Sequence, residues 1–153
     1  MPNALQALDL ENFLPYRLSV LAQLVSESLH DLYAEPFGLS VSQWRVMAAL
    51  GRFAPLTASE VGRRIIMDKV AVSRAVAGLK KRGLIERATD RADRRRASLK
   101  LSVRGRSMHA RIVPLALGYE ERLYEALSAA ERRIFDTLSD QLFAYAKILR
   151  SMP

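Results

Sequence analysis

Fourteen of the 24 Lys and Arg residues in this 153-residue chain lie between positions 57 and 105, where only five acids oppose them. That third of the sequence carries a net charge of +9, against +8 for the whole chain, so the remainder is slightly acidic. Guanidinium and ammonium groups concentrated in this way suit one kind of chemistry: neutralising the phosphates of a polyanion and releasing its condensed counterions. The densest cluster is Asp90-Arg91-Ala92-Asp93-Arg94-Arg95-Arg96, and a second runs Lys80-Lys81-Arg82, with Lys69 and Arg74 upstream. Bond-making chemistry finds no such support. There is no nucleophile-base pair, no phosphate-cradling glycine loop and no metal-ligand spacing, so no enzyme, cofactor or metal is expected. The absence of cysteine removes disulfides, thiolate sites and thiol redox switches, and the two histidines, His30 and His109, are far apart in sequence.

The elements that must position these cations can be read locally. Thr57-Ala58-Ser59-Glu60 is a capping box, a hydroxyl N-cap with a carboxylate three residues on, and it opens a helix to about Arg64. Ile65-Ile66-Met67 forms a short apolar joint, and Asp68 is the next N-cap. Between Lys69 and Arg82, Val72, Val76 and Leu79 fall at i, i+4 and i+7, a stripe facing a core, and Gly83 stops the helix. Two helices joined so tightly form a helix-turn-helix. Leu84–Ala88 and Ala97–Leu101 then read as strands flanking the polar loop Thr89–Arg96. A basic-tipped hairpin directly after a helix-turn-helix is a winged helix.

On the Lys69–Arg82 helix, the face opposite the apolar stripe carries Val70, Arg74, Ala77 and Lys81, with Ser73 at its edge. Small residues let such a helix sit deep in a major groove. Ser73 and Arg74 can hydrogen-bond bases or phosphates, Val70 suits a thymine methyl, and Lys69, Lys80 and Lys81 suit phosphates. The wing cations Arg91, Arg94, Arg95 and Arg96 are expected to follow the adjacent minor groove, with Asp93 orienting one of them.

These residues carry a resemblance. LTASEVGRRI, VAVSRAVAGLKKRGLIER and DRRRASLKLSVRG resemble the DNA-binding core of the MarR (multiple-antibiotic-resistance-regulator) family, with the wing motif at Asp93, Arg94, Arg95, Leu101, Ser102 and Gly105. Arg96 departs from the family pattern, which often has a small residue there; as an extra cation it is expected to strengthen wing contacts. The resemblance implies a dimeric, sequence-specific regulator of transcription, most often a repressor, acting on double-stranded DNA. It also implies a small aromatic or anionic effector bound between the dimer helices and the DNA-binding lobe. Tyr16, Arg17, His30, Trp44 and Arg45 are the candidates for that role, as polar or aromatic residues on helices lining that junction.

The flanks fit this reading. Leu14, Leu18, Leu21, Val25, Leu29 and Leu32 recur at steps of three and four on a helix from Pro15 to about Ala34, broken by Pro36, Gly38 and Ser40. Ser40-Val41-Ser42-Gln43 is a second capping box, opening a helix with Trp44, Val46, Met47 and Leu50 that Gly51 and Pro55 should end. Trp44 is expected in the core. A long helix follows Ser102, kinked at Pro114. Ser128-Ala129-Ala130-Glu131 is a third capping box, before a helix striped with Ile134, Leu138, Leu142, Tyr145 and Leu149.

The expected fold is therefore mainly α: a winged helix-turn-helix core with a two-stranded β wing, flanked by long N- and C-terminal dimerisation helices. The chain reads as one domain over 1–153, with a DNA-binding lobe at 40–102 and dimerisation helices at 10–34 and 103–150. The terminal helices are expected to intertwine with those of a second copy. No apolar run approaches the roughly 20 residues that span a bilayer, and the acidic start MPNALQALDLENF is unlike a signal peptide, so a cytoplasmic protein is expected. Two other classes remain open: an architectural, sequence-indifferent DNA binder, and a winged-helix protein-interaction module, against which the localised charge argues.

Overall fold

The computed structural model describes residues 7–89, 92, 93 and 95–152. Among them the order is α1 (Leu14–Phe37), α2 (Val41–Phe53), β1 (Leu56–Thr57), α3 (Ala58–Ile65), α4 (Lys69–Lys81), β2 (Ile85–Arg87), β3 (Ser98–Leu101), α5 (Val103–Tyr124) and α6 (Ala129–Ser151). The chain divides into two compact units, Met1–Leu115 and Ala116–Pro153. No helix among the described residues is long and apolar enough to cross a membrane.

Helix starts follow side-chain chemistry. In all three capping boxes the hydroxyl accepts the N3 amide and the N3 side chain accepts the N-cap amide: Ser40 with Gln43, Thr57 with Glu60, and Ser128 with Glu131. Each box satisfies two backbone donors that a helix start leaves without an intrahelical partner. Asp68 caps α4 by accepting the Ala71 amide at 2.9 Å. Helix ends match less well. α1 runs past Ala34 with Pro36 inside its last turn, and ends at Gly38, whose amide bonds to the Ala34 carbonyl at 2.7 Å. α2 runs through Gly51 to Phe53, so Gly51 is not a stop. A Cβ there would come 2.4 Å from His109 Nε2, so this glycine makes room for a side chain of α5.

The core of the first unit lies where α2, α3, α4 and the sheet meet. Val46, Met47, Leu50, Val61, Val72, Leu79, Leu84 and Leu101 are all buried there. Trp44 is buried as expected. The joint between α3 and α4 is less apolar in its surroundings than its sequence suggests. Ile66 is exposed and has φ 51°, a left-handed conformation that a β-branched residue adopts only under strain.

The sheet has three strands where two were expected, in the order β1-β3-β2. β3 is central and antiparallel to both neighbours, pairing Leu56 with Leu99 and Thr57 with Ser98 on one side, and Ile85 with Leu101 and Arg87 with Leu99 on the other. β1 is only two residues long, too short for its alternation to be read. It exists because β3 arrives to pair with it.

The wing returns to α5 through a tight contact. Ser102 Oγ donates to the Gly83 carbonyl at 2.7 Å and accepts the Gly105 amide at 3.0 Å, while the Ser102 amide donates to the Leu84 carbonyl at 3.0 Å. A Cβ on Gly105 would lie 1.9 Å from that same Leu84 oxygen. In the second unit, the Tyr124 hydroxyl donates to Asp136 at 2.8 Å, and the Arg132 guanidinium lies 3.8 Å from the Tyr124 ring centre.

Two glycine replacements separate packing from propensity. Gly105→Ala drives a methyl group into backbone and should destabilise the fold by about 1–3 kcal/mol or more. Gly118→Ala, in a helix with open space around the Cα, should stabilise it by about 0.4–1 kcal/mol. Chemical denaturation midpoints for the two variants check both signs.

Candidate nucleic-acid interface

α4 presents one buried and one exposed face. Val72, Ala75, Val76 and Leu79 are buried, whereas Lys69, Val70, Ser73, Arg74, Ala77, Lys80 and Lys81 are all exposed. Those seven are the helix residues expected to meet DNA, and the fold brings them together on one surface. Val70 is 60 % exposed.

Three contacts fix this helix. α3 approaches it closely at Gly62, where a Cβ would lie 3.1 Å from the Met67 carbonyl oxygen and 3.2 Å from Val72 Cγ2. The Gln43 side chain crosses Gly78, where a Cβ would lie 2.6 Å from its Nε2. Arg82 then reaches back 44 residues, donating from Nη1 to the Gly38 carbonyl at 2.8 Å and from Nη2 to the Phe37 carbonyl at 2.7 Å. A forked cation here satisfies carbonyls at the negative end of α1. Arg82 therefore counts toward the basic charge of the region but spends its donors inside the fold. Sequence reasoning gave it no site role, and the only local hint is its place just before the helix stop.

α4 ends in a double hydrogen bond typical of a glycine stop: the Gly83 amide to Lys80 at 2.9 Å and the Leu84 amide to Leu79 at 3.0 Å. Gly83 has φ 67°, the region that only glycine enters without steric cost. The chain then turns directly into β2.

In the wing, Arg91 and Arg94 lie outside the described residues. Arg95 is exposed. Asp93 accepts the Arg95 amide at 2.9 Å, and its carbonyl accepts the Arg96 amide at 3.2 Å, so this acid shapes the backbone of the turn. Lys100 faces Glu86 across the ladder at 3.2 Å. Arg96, also expected at DNA, pairs with Glu60 of the α3 capping box. Glu60 carries two duties at once, its Oε2 accepting the Thr57 amide at 2.7 Å while Oε1 receives Arg96. The Thr57 amide first, and the Arg96 guanidinium second, hold its carboxyl down at about 2, from an ordinary 4.5.

The five effector candidates do not converge. Tyr16 and Arg17 are exposed near the start of α1, about 20 Å along the helix from His30. His30 and Trp44 do belong together, through two residues the sequence did not single out. His30, Tyr33, Trp44 and His109 form a run of rings with centres 5.3, 5.7 and 5.7 Å apart. The His30 Nε2–H donates to the Leu39 carbonyl at 3.1 Å. Burial raises the Tyr33 hydroxyl pKa, partly offset by Arg45, and burial lowers that of His109. Arg45 also reaches Ser26 Oγ at 3.5 Å. No sequence signal groups Tyr33 and His109 with these residues, because ring stacking joins three helices and has no sequence period.

This arrangement has counterparts. A MarR-family transcriptional regulator from Silicibacter pomeroyi superposes with a TM-score of 0.74 at 28 % identity, covering 89 % of this chain and 99 % of that one. The MarR family model matches residues 37–96, from the last residue of α1 to the wing. Residues 37–96 thus match the MarR family, and the fold around them resembles a solved member of it. Among the chain's relatives is the HTH-type transcriptional regulator PapX of Escherichia coli, 27 % identical over 139 residues, which cover 86 % of this chain and 85 % of PapX. The PcaV transcriptional regulator of Streptomyces coelicolor, solved in complex with its natural ligand, is 25 % identical with a TM-score of 0.71, covering 92 % and 98 % of the two chains. These relatives and the matched family are DNA-binding transcriptional regulators, and the matched segment includes all of α4.

Because the Glu60 carboxyl is depressed in the folded protein, its contribution to stability is complete above pH 4.5 and is lost as pH falls from there to about 2. Glu60→Gln removes that titration. Its stability should fall less steeply with acid across the same interval, as read from denaturation midpoints at successive pH values.

Proposed function

We propose that this chain is a ligand-responsive MarR-family repressor that acts in the cytoplasm as a homodimer on a pseudo-palindromic operator of roughly 16–20 base pairs. The carrying observation is the two-faced α4, whose seven exposed residues form a small, cationic ridge rigidly backed by four buried ones. Arg74 forks onto a guanine or a phosphate, Ser73, Val70 and Ala77 follow the base edges, and Lys69, Lys80 and Lys81 grip the backbone. Arg95, with Arg91 and Arg94 of the same tip, follows the neighbouring minor groove.

The homodimer is supported by apolar side chains that the single chain leaves in water. On α1, Leu14, Leu18 and Leu21 are each nearly half exposed, and on α6 Leu138, Leu142, Tyr145 and Leu149 are 49–58 % exposed. Contiguous apolar stripes on helices of 24 and 23 residues are the mark of an association surface. Two-fold pairing through them would set two α4 helices about one DNA turn or more apart, which is what reading a palindrome requires.

An effector reading draws support from PcaV, which was solved with its natural ligand. The edge of the His30–Tyr33–Trp44–His109 run offers aromatic surface, and Arg45 offers a cation for an acid group.

Two measurements decide the main parts. Arg74→Ala should weaken binding to a duplex selected from a random pool by about 1–3 kcal/mol, and binding to scrambled DNA far less; equal losses would reassign Arg74 to phosphate. Light scattering at micromolar concentration should return twice the 17.2 kDa chain mass, and a clean monomer would defeat the dimer.

A further inference from the structure

Arg96 stands where the MarR pattern often has a small residue, and its place in the fold differs from that of the other wing cations. The Thr57–Ser98 pair of the β1–β3 ladder brings two short segments alongside each other. Glu60 lies three residues after Thr57 and Arg96 two residues before Ser98, so the ladder delivers the guanidinium to the carboxylate. The Arg96 backbone is fixed as well: its amide donates to the Asp93 carbonyl at 3.2 Å, and its carbonyl accepts the Ser98 amide at 2.9 Å. The carboxylate cannot swing away without cost, since its other oxygen caps α3 through the Thr57 amide at 2.7 Å. Both side chains are only partly exposed, 39 % for Arg96 and 28 % for Glu60.

We propose that Arg96 is a positioning residue and not a phosphate contact: paired with Glu60, it fastens the base of the wing to the first helix of the helix-turn-helix and so sets the angle at which the wing meets DNA. The proposal rests on the DNA-binding reading of the wing. The strands end at Arg87 and begin again at Ser98, so the ladder does not reach Arg96. A bond between the returning arm of the wing and α3 adds a constraint that the ladder does not supply. The cation placed by sequence among the groove-reaching arginines then acts through geometry, leaving the tip cations to meet phosphate.

The two roles differ in sign, which makes them separable. If Arg96 contacts phosphate, Glu60 is a competitor for it, and neutralising Glu60 frees a cation for DNA. If Arg96 is a strut, neutralising Glu60 loosens the wing. The experiment measures binding of the full chain to a fluorescent duplex selected from a random pool, and to a scrambled duplex, over several salt concentrations. The variants are Arg96→Ala, Glu60→Gln and the double substitution, with Gln retained at 60 because its oxygen can still cap α3. The expected result is a loss of roughly three- to tenfold for each single variant, no further loss in the double, and an unchanged dependence of log K on log salt in all three. The proposal is overturned if Glu60→Gln binds more tightly, if Arg96→Ala lowers the salt slope by about 0.9, the mark of one lost phosphate contact, or if Arg96→Ala binds as well as the parent. Should Glu60→Gln fail to fold, Arg96→Ala alone still decides through its affinity and slope. A parent chain that binds neither duplex refutes the DNA-binding reading itself, and one that binds both equally refutes only sequence specificity, leaving the wing test intact on scrambled DNA.

Discussion

The backbone of Gly83 and Leu84 is the place on which the DNA-reading half of this protein depends. One peptide stretch there ends the recognition helix, begins the wing and receives the first turn of α5, through the Ser102 hydroxyl and the bare Cα of Gly105. Three elements share so small a volume that no side chain fits at position 105. The directions of α4, β2 and α5 are therefore not independent. Close-packed backbone transmits displacement with little loss, because it has no soft rotamers to absorb it. Arg82, one residue upstream of the stop, adds the end of α1 to the same group by occupying the Phe37 and Gly38 carbonyls.

Around that point the stabilising chemistry is divided by type. Burial of Met47, Leu50, Val61, Leu79, Leu84 and Ile112 supplies the non-directional part. Direction comes from polar contacts at element ends, where helix starts and stops would otherwise leave amides and carbonyls without partners. The exposed ion pairs weigh less: Lys100–Glu86 and Arg132–Glu121 lie in solvent, where such pairs contribute little. Glu60 differs from them because its carboxylate is a backbone cap as well as an ion-pair member.

What the sequence made legible was chemistry acting over three or four residues. The capping boxes at Ser40, Thr57 and Ser128, the N-cap at Asp68, the glycine stop at Gly83 and the split of α4 into apolar and cationic faces are all local, and all stand in the fold. What it hid was chemistry between segments far apart. The strand Leu56–Thr57 has no period of its own and is created by β3. Gly51 resembles a helix stop until the His109 ring is found lying over it. Arg82 and Arg96 are indistinguishable by type from the cations around them, and only the three-dimensional path shows that Arg82 reaches the end of α1 and that Arg96 meets Glu60. For the same reason the sequence does not show which effector candidates share a place in the chain: His30 and Trp44 come together through Tyr33 and His109, while Tyr16 and Arg17 lie at the other end of α1.

The ring run has an optical corollary. Trp44 is the only tryptophan in the chain, and it sits with Tyr33 on one side and the His109 imidazole on the other. Indole emission from this protein therefore originates at a single locus, the meeting point of α1, α2 and α5, with no background from elsewhere. Tyr33 is placed to pass excitation to the indole, and His109 is placed to draw it away when the imidazole is charged. The molecule carries an intrinsic fluorophore at the seam between its long N-terminal helix and its DNA-reading half, so a shift of those helices relative to one another is written directly into its spectrum.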